Sequence, residues 1–259
     1  MLHKFEELLI ESDVGTQIAS DLKEKFKKEK IIKNFQEIYK NDLINKNKTK
    51  KKIKAVVACG NGTAGIFAPD ILRGIGCEVI ELDCNLDWDF PKYNPNPEDL
   101  EMLHAIAKSV KENNADIGFG FDGDGDRVGV VTDEGEIVYP DRVLMMLCEE
   151  ILAIKKGSII FDVKCSNILP MQIKKMGGEP IISPTGHFHI KNGIKKHNPL
   201  LAGEMSGHIF FNDKWYGFDD GHYSGARIVE MISKSNVSIS SLNKKLPQSY
   251  STPELNIGV

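Results

Sequence analysis

Residues 115–127 read ADIGFGFDGDGDR, a mostly apolar run that ends in alternating aspartates and glycines. The apolar half predicts a buried strand. The carboxylates of Asp122, Asp124 and Asp126 repel one another at this spacing, and a divalent cation with hard oxygen ligands relieves that repulsion most simply. The glycines allow the backbone to curl so that alternate carboxylates converge. The stretch therefore predicts a metal site at the end of a strand.

Calcium is the first alternative for this loop, because an EF-hand also begins D-x-D-x-D. The sixth position of an EF-hand is a glycine and the twelfth is a bidentate glutamate. Here these positions hold Arg127 and Asp133, which argues against a calcium-signalling loop. A guanidinium beside the acids can bind phosphate oxygens in a bidentate manner, so Arg127 indicates phosphate near the metal.

The surrounding sequence alternates between strand and helix patterns. Ahead of the aspartates, the predicted strands are 53–59, 77–82 and 115–121, with helices at 65–74 and 97–113. After them come a hairpin of strands 128–132 and 136–138, helices 141–154, 168–176 and 220–233, and strands 158–163, 180–183 and 200–203. Residues 1–52 predict polar helices, with a linker at 41–52. The alternation indicates two successive α/β units whose strand ends carry loops over a crevice.

Composition excludes several classes of protein. The 259 residues are 41% hydrophobic and 27% charged, as in ordinary soluble proteins. Residues 1–52 carry 13 Lys against 9 acids, which leaves 20 basic against 28 acidic residues in the rest, a balance that argues against nucleic-acid binding. Five cysteines without Cys-x-x-Cys spacing indicate neither a disulfide framework nor a zinc site, and fit a reducing cytoplasm. No apolar run approaches the ~18–20 residues that span a bilayer, so no membrane partner is expected.

A second glycine-rich segment, GNGTAG at 60–65, lies between a predicted strand and a predicted helix. With Asp83 about 20 residues further on, it matches the dinucleotide-binding fingerprint. The same glycines also suit an ordinary tight turn between strand and helix. A nucleotide-dependent dehydrogenase therefore stands as an alternative at this point.

Three polar clusters of the second unit each follow a short apolar run: DVKC at 162–165, PTGH at 184–187 and GEMSGH at 203–208. Taken singly, Lys164 could be a solvated charge, His187 a loop histidine and Glu204 a helix cap. Three such clusters after strands point instead to a ligand, because α/β folds place ligand contacts there. Glu204, Ser206 and His208 offer the donors and acceptors that a sugar requires.

The motifs FDGDGDR, DVKC, TGH and GEMSGH, in this order, resemble the α-D-phosphohexomutase family, most closely its bacterial phosphomannomutase/phosphoglucomutase branch. The resemblance extends through WYGFDD at 215–220 and STPELNI at 251–257. It implies two tandem three-layer α/β/α domains with mixed sheets, the middle two of the family's four. The expected divisions are a helical remnant and linker at 1–49, a metal-binding domain at 50–137 and a sugar-binding domain at 138–259.

The family interconverts 1-phospho and 6-phospho hexoses through a bisphosphorylated sugar, with a phosphoserine as phosphoryl donor. By this resemblance, Asp122, Asp124 and Asp126 would hold Mg²⁺, which stabilises charge on the transferring phosphoryl group. Arg127 would lie beside that group as a catalytic residue.

The resemblance also implies roles for the clusters of the second unit. Lys164, His187 and His208 would surround the sugar at the reacting centre as contacts or proton shuttles. Glu204 and Ser206 would bind its ring hydroxyls. The substrate would be a mannose or glucose 1-phosphate or 6-phosphate.

Two departures qualify the expected activity. The family's Ser-His-Asn-Pro loop occurs nowhere in this sequence, and the phosphate-binding loop of the family's last domain is not found either. We therefore expect a chain that binds Mg²⁺ weakly and has negligible mutase activity alone, with the phosphoserine domain a possible partner in trans. Two alternatives remain: a Rossmann-type nucleotide-binding dehydrogenase, although GNGTAG has a counterpart in this family as a structural turn, and a non-catalytic sugar-phosphate-binding module.

Overall fold

The computed structural model describes residues 35–248. The chain divides into two compact units, Met1–Tyr39 and Lys40–Val259. The described part of the first unit is the start of helix α1 (Phe35–Lys46). All the structure discussed below belongs to the second unit.

The first α/β domain is built on a five-stranded mixed sheet. Its elements are β1 (Ile53–Ala58), a 3₁₀ turn (Thr63–Ile66), α2 (Ala68–Gly74), β2 (Cys77–Leu82), α3 (Leu100–Asn113), β3 (Ile117–Phe121), β4 (Val128–Thr132) and β5 (Ile137–Val138). The strand order is β2-β1-β3-β4-β5, with β1 parallel to β2 and β3, and β4 antiparallel to β3 and β5. The parallel strands β1 and β3 therefore end at the same edge of the sheet.

Helix α3 covers one face of this sheet with an apolar stripe. Met102, Ile106 and Val110 recur at helical spacing and are buried with Val56 of β1. The helix begins at Leu100 rather than at 97, because the carboxylate of the N-cap residue Asp99 accepts the first backbone hydrogen bond. Burial of each such side chain contributes about 1.5–3 kcal/mol.

The second domain repeats the layered plan around a four-stranded mixed sheet, which confirms the expected fold class. Its elements are α4 (Pro140–Ile154), β6 (Ser158–Asp162), α5 (Ile168–Lys175), β7 (Glu179–Ser183), α6 (His187–His197), β8 (Leu201–Gly203), β9 (Ile209–Phe211), α7 (Gly221–Lys234) and α8 (Ile239–Lys245). The order is β7-β6-β8-β9, with β6 parallel to β7 and β8, and β9 antiparallel to β8.

Helix α6 was not predicted, and its packing explains why. Among its side chains only Ile190 is fully buried, against Ile160 and Phe210 of the sheet. Its interior glycine, Gly193, disfavours a helix on propensity. A Cβ at that position would lie 3.0 Å from the Ile160 side chain, so glycine is what allows the helix to approach the sheet. Strand β9 and helix α8 were also missed.

The linker predicted at 41–52 is wrong over its first half, because helix α1 continues to Lys46. Leu43 is fully buried, and the Asn47 side chain donates to the Leu43 carbonyl oxygen at 2.9 Å. The prediction failed because Asn and Lys dominate this segment, so its composition indicates a linker although Leu43 is buried. The helices predicted in residues 1–34 lie outside the described residues. Among residues 35–248, no helix is long and apolar enough to cross a membrane.

Candidate active site

The aspartate loop at 122–126 is folded by its own first residue. Asp122 is buried, and its Oδ1 accepts hydrogen bonds from the backbone N–H groups of Gly125 at 3.1 Å and Arg127 at 3.0 Å. Its Oδ2 accepts from Arg127 Nε at 2.6 Å. These bonds curl the loop, as its glycines allow, and fix the guanidinium at its edge.

The three carboxylates of the loop do converge. Asp122, Asp124 and Asp126 each offer an oxygen, and these oxygens lie within 4.8 Å of one another. Burial raises the pKa of Asp122 above its ordinary value; Arg127 opposes this shift, and Asp126 adds to it. Asp122 is buried, Asp124 is exposed and Asp126 is half-buried. Three carboxyl groups this close together form a set of oxygen ligands that fits a hard divalent cation.

The loop at 204–208 of the second domain lies directly against the aspartate loop. Arg127 and His208 form an antiparallel backbone bridge, and the Val128 N–H donates to the Gly207 carbonyl oxygen at 3.2 Å. Gly207 has φ 96°, a left-handed conformation that favours glycine. Two segments about 80 residues apart in the chain therefore form one surface.

His208 stands at the centre of that surface. Its Nε2 lies 3.4 Å from Asp126 Oδ2, and its Nδ1 lies 3.3 Å from Glu204 Oε2 and 2.9 Å from Ser206 Oγ. Burial alone would lower the pKa of His208, but the carboxylates of Asp126 and Glu204 more than offset it and raise the pKa to about 9. Near neutral pH the ring therefore carries a proton that it can donate.

Glu204 is held in its ionised form. The side chain is buried, and its Oε1 accepts a hydrogen bond from the Gly186 N–H at 2.6 Å. Burial would raise the pKa of Glu204, but His208 and the Gly186 N–H outweigh it and lower the pKa below the ordinary value. The carboxylate is thus preorganised as a hydrogen-bond acceptor.

Comparison with known proteins gives the family. Residues 32–135 match the model of phosphoglucomutase/phosphomannomutase α/β/α domain II, and residues 139–250 match that of domain III. The chain belongs to the phosphoglucomutase/phosphomannomutase family.

Individual members of the family are closely similar to this chain. It is 50% identical over 222 residues to a phosphomannomutase/phosphoglucomutase of Pseudomonas putida, covering 85% of this chain and 48% of the relative. A phosphoglucomutase of Neisseria meningitidis is 47% identical over 222 residues, with the same two coverages, 85% and 48%. A crystal structure from Burkholderia thailandensis superposes with a TM-score of 0.81 at 44% identity, covering 84% of this chain and 48% of that one. The chain therefore spans about half the length of the curated relatives it matches.

Membership of the family does not establish the roles of individual residues, which remain predictions. The structure gives the positions of two of them, His187 and Lys164. His187 begins α6, and its ring centroid lies 6.1 Å from that of His208. Lys164 lies exposed in the turn after β6. The structure thus brings His187 beside the His208 ring and places Lys164 in the turn at the carboxyl end of β6.

Asp162 is a residue of this site whose importance the sequence did not reveal. It is the last residue of β6 and fully buried. Its Oδ1 accepts from the Met205 N–H at 3.2 Å, and its Oδ2 accepts from Thr185 Oγ1 at 3.1 Å. One carboxylate therefore ties two of the predicted ligand loops together. A buried aspartate directly after an apolar run was the available signal.

The glycine fingerprint at 60–65 does not form a nucleotide site. A Cβ on Gly65 would lie 1.9 Å from the Cys84 carbonyl oxygen, so this glycine admits the protein's own backbone rather than a pyrophosphate. The acidic residue at the expected spacing, Asp83, already accepts a hydrogen bond from the Tyr93 hydroxyl at 3.0 Å. The dehydrogenase alternative is therefore unsupported by both the geometry and the family.

The first residues of α7 also contact the aspartate loop and hold its backbone in place. The Gly221 N–H donates to the Gly125 carbonyl oxygen at 3.0 Å. A Cβ on Gly221 would lie 2.7 Å from that oxygen, so only glycine permits this approach. The next residue, His222, is buried and stacks on Phe121 at 5.5 Å between ring centroids. The aspartate loop therefore depends on both domains for its shape.

Proposed function

We propose that this chain supplies the metal-binding and sugar-binding parts of a phosphohexomutase that interconverts hexose 1-phosphates and 6-phosphates. One observation supports the proposal most: His208 lies between Asp126 of the aspartate loop and Glu204 of the loop at 204–208, here called the sugar loop, so the residues proposed to bind metal and sugar lie on either side of the proposed acid. The names of the similar proteins, phosphomannomutase and phosphoglucomutase, support the same reaction. A cytoplasmic location goes with this proposal.

In this proposal Asp122, Asp124 and Asp126 hold Mg²⁺. When bound, Mg²⁺ would neutralise charge on the transferring phosphoryl group. Arg127 contributes from the protein side: Asp122 holds its Nε, and Asn96 Oδ1 lies 3.2 Å from its Nη1. A guanidinium fixed in this way is preorganised to bind phosphate oxygens.

The sugar loop would bind and protonate the hexose. Glu204, ionised and buried, accepts hydrogen bonds from ring hydroxyls, and Ser206 adds a donor or acceptor. His208 delivers a proton to the sugar oxygen that loses its phosphoryl group and takes one from the oxygen that gains it. Lys164 and His187 complete the contacts to the sugar phosphate.

The phosphoryl donor is proposed to come from a phosphoserine outside these 259 residues, because Ser-His-Asn-Pro does not occur among them. The natural partner would then be a phosphoserine domain, supplied either by the same polypeptide or in trans. Without it, the chain would bind hexose phosphate and Mg²⁺ but turn over negligibly.

Calorimetric titration with glucose 1-phosphate and mannose 1-phosphate in the presence of Mg²⁺ tests the binding half of the proposal. Glu204→Gln should weaken binding by about tenfold, since an ionised acceptor becomes a neutral amide. Glu179→Gln is the matched control, because Glu179 is exposed at the opposite end of a strand of the same sheet. Equal affinity of both variants would contradict the placement of the sugar.

A coupled mutase assay tests the catalytic half. The chain alone should show no turnover above background, and addition of a separately expressed phosphoserine domain should restore it. Robust turnover by the chain alone would contradict the need for an outside donor. Binding without turnover in the mixture would contradict catalysis and favour a sugar-phosphate-binding module.

A further inference from the structure

Asp219 brings a third metal-binding group to the contact between the aspartate loop and the sugar loop. One ligand atom each from Asp126, His208 and Asp219 lies within 4.8 Å of the other two. The backbone of Asp219 is bridged to Phe210, and its side chain is only 9% exposed. The three groups come from three segments of the chain, so their proximity is a product of the fold.

The spacing of the first two groups matches a transition-metal site. His208 Nε2 and Asp126 Oδ2 are 3.4 Å apart. A tetrahedral zinc ion with bonds of about 2.0–2.1 Å separates its ligand atoms by about 3.3 Å. An imidazole nitrogen also suits zinc and its neighbours in the periodic table, whereas Mg²⁺ prefers oxygen ligands alone.

The histidine ring is oriented for such a bond by the residues behind it. Metal-binding histidines usually have their second ring nitrogen held by a carboxylate or another polar group, which turns the first nitrogen toward the metal. Here Nδ1 of His208 faces Glu204 Oε2 at 3.3 Å and Ser206 Oγ at 2.9 Å. Glu204 is only 2% exposed and is itself held by the Gly186 N–H. This buried carboxylate is an observation independent of the three-residue cluster.

We propose that Asp126, His208 and Asp219 form a binding site for Zn²⁺ or a similar transition-metal ion, which shares only Asp126 with the oxygen-only set that fits Mg²⁺ and takes the place of the proton on His208 Nε2. Three protein ligands leave a fourth position for water or a hydroxyl group. Because Asp126 belongs to both donor sets, the new site joins the aspartate loop to the sugar loop. The proposal goes beyond the mutase reaction, and metal binding tests it without any turnover.

Lys191 bears on the affinity of this site. Its Nζ lies 2.8 Å from Asp219 Oδ1, so one oxygen of that carboxylate already faces a cation of the protein. A bound metal ion must share Asp219 with this ammonium group, which lowers the gain from binding. Removal of the lysine charge should therefore strengthen zinc binding.

A consequence for the proposed reaction follows from the ligand atoms. Zinc at this site would occupy His208 Nε2, the nitrogen that faces Asp126, and would keep the ring from carrying the proton that it is proposed to transfer to the sugar. Bound zinc would then block that transfer, so the ion acts as an inhibitor rather than as a second cofactor.

Calorimetric titration of the full chain with Zn²⁺ and, separately, with Mg²⁺ tests the site. Asp219→Asn should weaken zinc binding at least about tenfold and leave Mg²⁺ binding unchanged, because it removes a ligand of one set only. Asp124→Asn is the matched control, with a loss of Mg²⁺ affinity and zinc affinity retained within about twofold. Unaltered circular dichroism of both variants would show that they fold.

Two further variants keep the proposal falsifiable if Asp219→Asn misfolds. With Co²⁺ as a spectroscopic probe, the wild-type chain should give the visible absorption of a tetrahedral complex, and His208→Gln should abolish it. Lys191→Gln should tighten zinc binding by about threefold. Absence of zinc binding, or a zinc affinity that falls with Asp124→Asn but not with His208→Gln, would overturn the proposal and place zinc in the aspartate loop.

Discussion

The glycine loop at 60–65 and the aspartate loop at 122–126 both follow parallel strands that are neighbours in one sheet, yet they use glycine differently. In the first loop the space beside Gly65 is filled by a backbone oxygen at 1.9 Å from an ideal Cβ. In the second, a Cβ on Gly123 would meet its nearest atom only at 3.6 Å, and a Cβ on Gly125 would lie 2.5 Å from the His222 side chain rather than from backbone. A glycine pattern therefore indicates a curled or closely approached backbone, and only the structure shows whether other backbone atoms, a side chain or open space lies beside each glycine.

The largest difference between the loops should appear on substitution of these two glycines. Gly65→Ala places a Cβ 1.9 Å from the Cys84 carbonyl oxygen, so two backbone segments must separate. We expect a loss of at least about 4 kcal/mol in the free energy of unfolding, at the upper end for single substitutions. Urea denaturation monitored by circular dichroism measures it.

Gly123→Ala is the matched control in the aspartate loop. With 3.6 Å to the nearest atom, the added methyl group meets no clash, and the free energy of unfolding should change by less than about 1 kcal/mol. Equal losses in the two variants would show that the loops do not differ in the way described.

A second prediction concerns His222, which lies between the two loops. Burial lowers its pKa to about 4, although a hydrogen bond with the Ala64 backbone opposes the shift. In the unfolded chain the pKa of a histidine is about 6.5, so below that pH the unfolded state binds a proton that the folded state does not. Stability should therefore fall as the pH drops from about 6.5 to about 4, by about 3 kcal/mol in total.

Urea denaturation near pH 7 and near pH 5, on the wild-type chain and on His222→Leu, isolates this effect. The wild-type chain should lose about 2 kcal/mol more than the variant between these conditions. His208 does not confound the comparison, because both proteins contain it and its contribution, which is complete below about 6.5 and declines as the pH rises toward about 9, cancels in the difference. Identical pH dependence of the two proteins would show that His222 is not buried in its neutral form.

A third prediction separates shape from metal binding within the aspartate loop. In Asp122, one carboxylate oxygen accepts two backbone N–H groups and the other accepts the Arg127 Nε–H. Asp122→Asn replaces one of these oxygens with an NH₂ group. In either orientation, this NH₂ group faces at least one N–H donor and cannot accept its hydrogen bond. We expect a loss of about 2 kcal/mol in the free energy of unfolding without metal. Asp124→Asn, at an exposed position, should change it by less than about 0.5 kcal/mol.

Metal-free protein, prepared with a chelator, is essential for this comparison, since both variants are expected to weaken Mg²⁺ binding. A destabilisation by Asp124→Asn as large as that by Asp122→Asn would mean that the exposed carboxylate also shapes the loop.

Much of this site could be located from the sequence because its residues directly follow apolar strands. Asp122 after β3 and Glu204 after β8 both obey this rule, and the carboxyl ends of parallel strands meet at one sheet edge. The bridge between Arg127 and His208 could not be predicted, because it depends on how two separate sheets pack together. Strand patterns describe the ends of each sheet but contain no information on the contact between sheets.

The missed elements have a related cause. Helix α6 hides only Ile190 completely, so its sequence lacks the apolar stripe that identifies a helix. Asp219 follows no strand; its position at the site comes from a backbone bridge to Phe210. Residues placed by tertiary contacts of the backbone leave little local signal in the sequence, whereas residues placed by strand ends leave a clear one.

The smallest predicted effect tests whether the glycine loop supports the aspartate loop. The backbone N–H and Oγ1 of Thr63 donate to the Gly123 carbonyl oxygen at 2.9 Å and 2.8 Å. Thr63→Val keeps the shape of the side chain and the backbone bond but removes the hydroxyl donor, so we expect a loss of about 1 kcal/mol in the free energy of unfolding. If the two loops are coupled, Mg²⁺ affinity should fall by about twofold to threefold although no ligand is touched. Unchanged affinity with reduced stability would show that the glycine loop stabilises the domain without shaping the metal site.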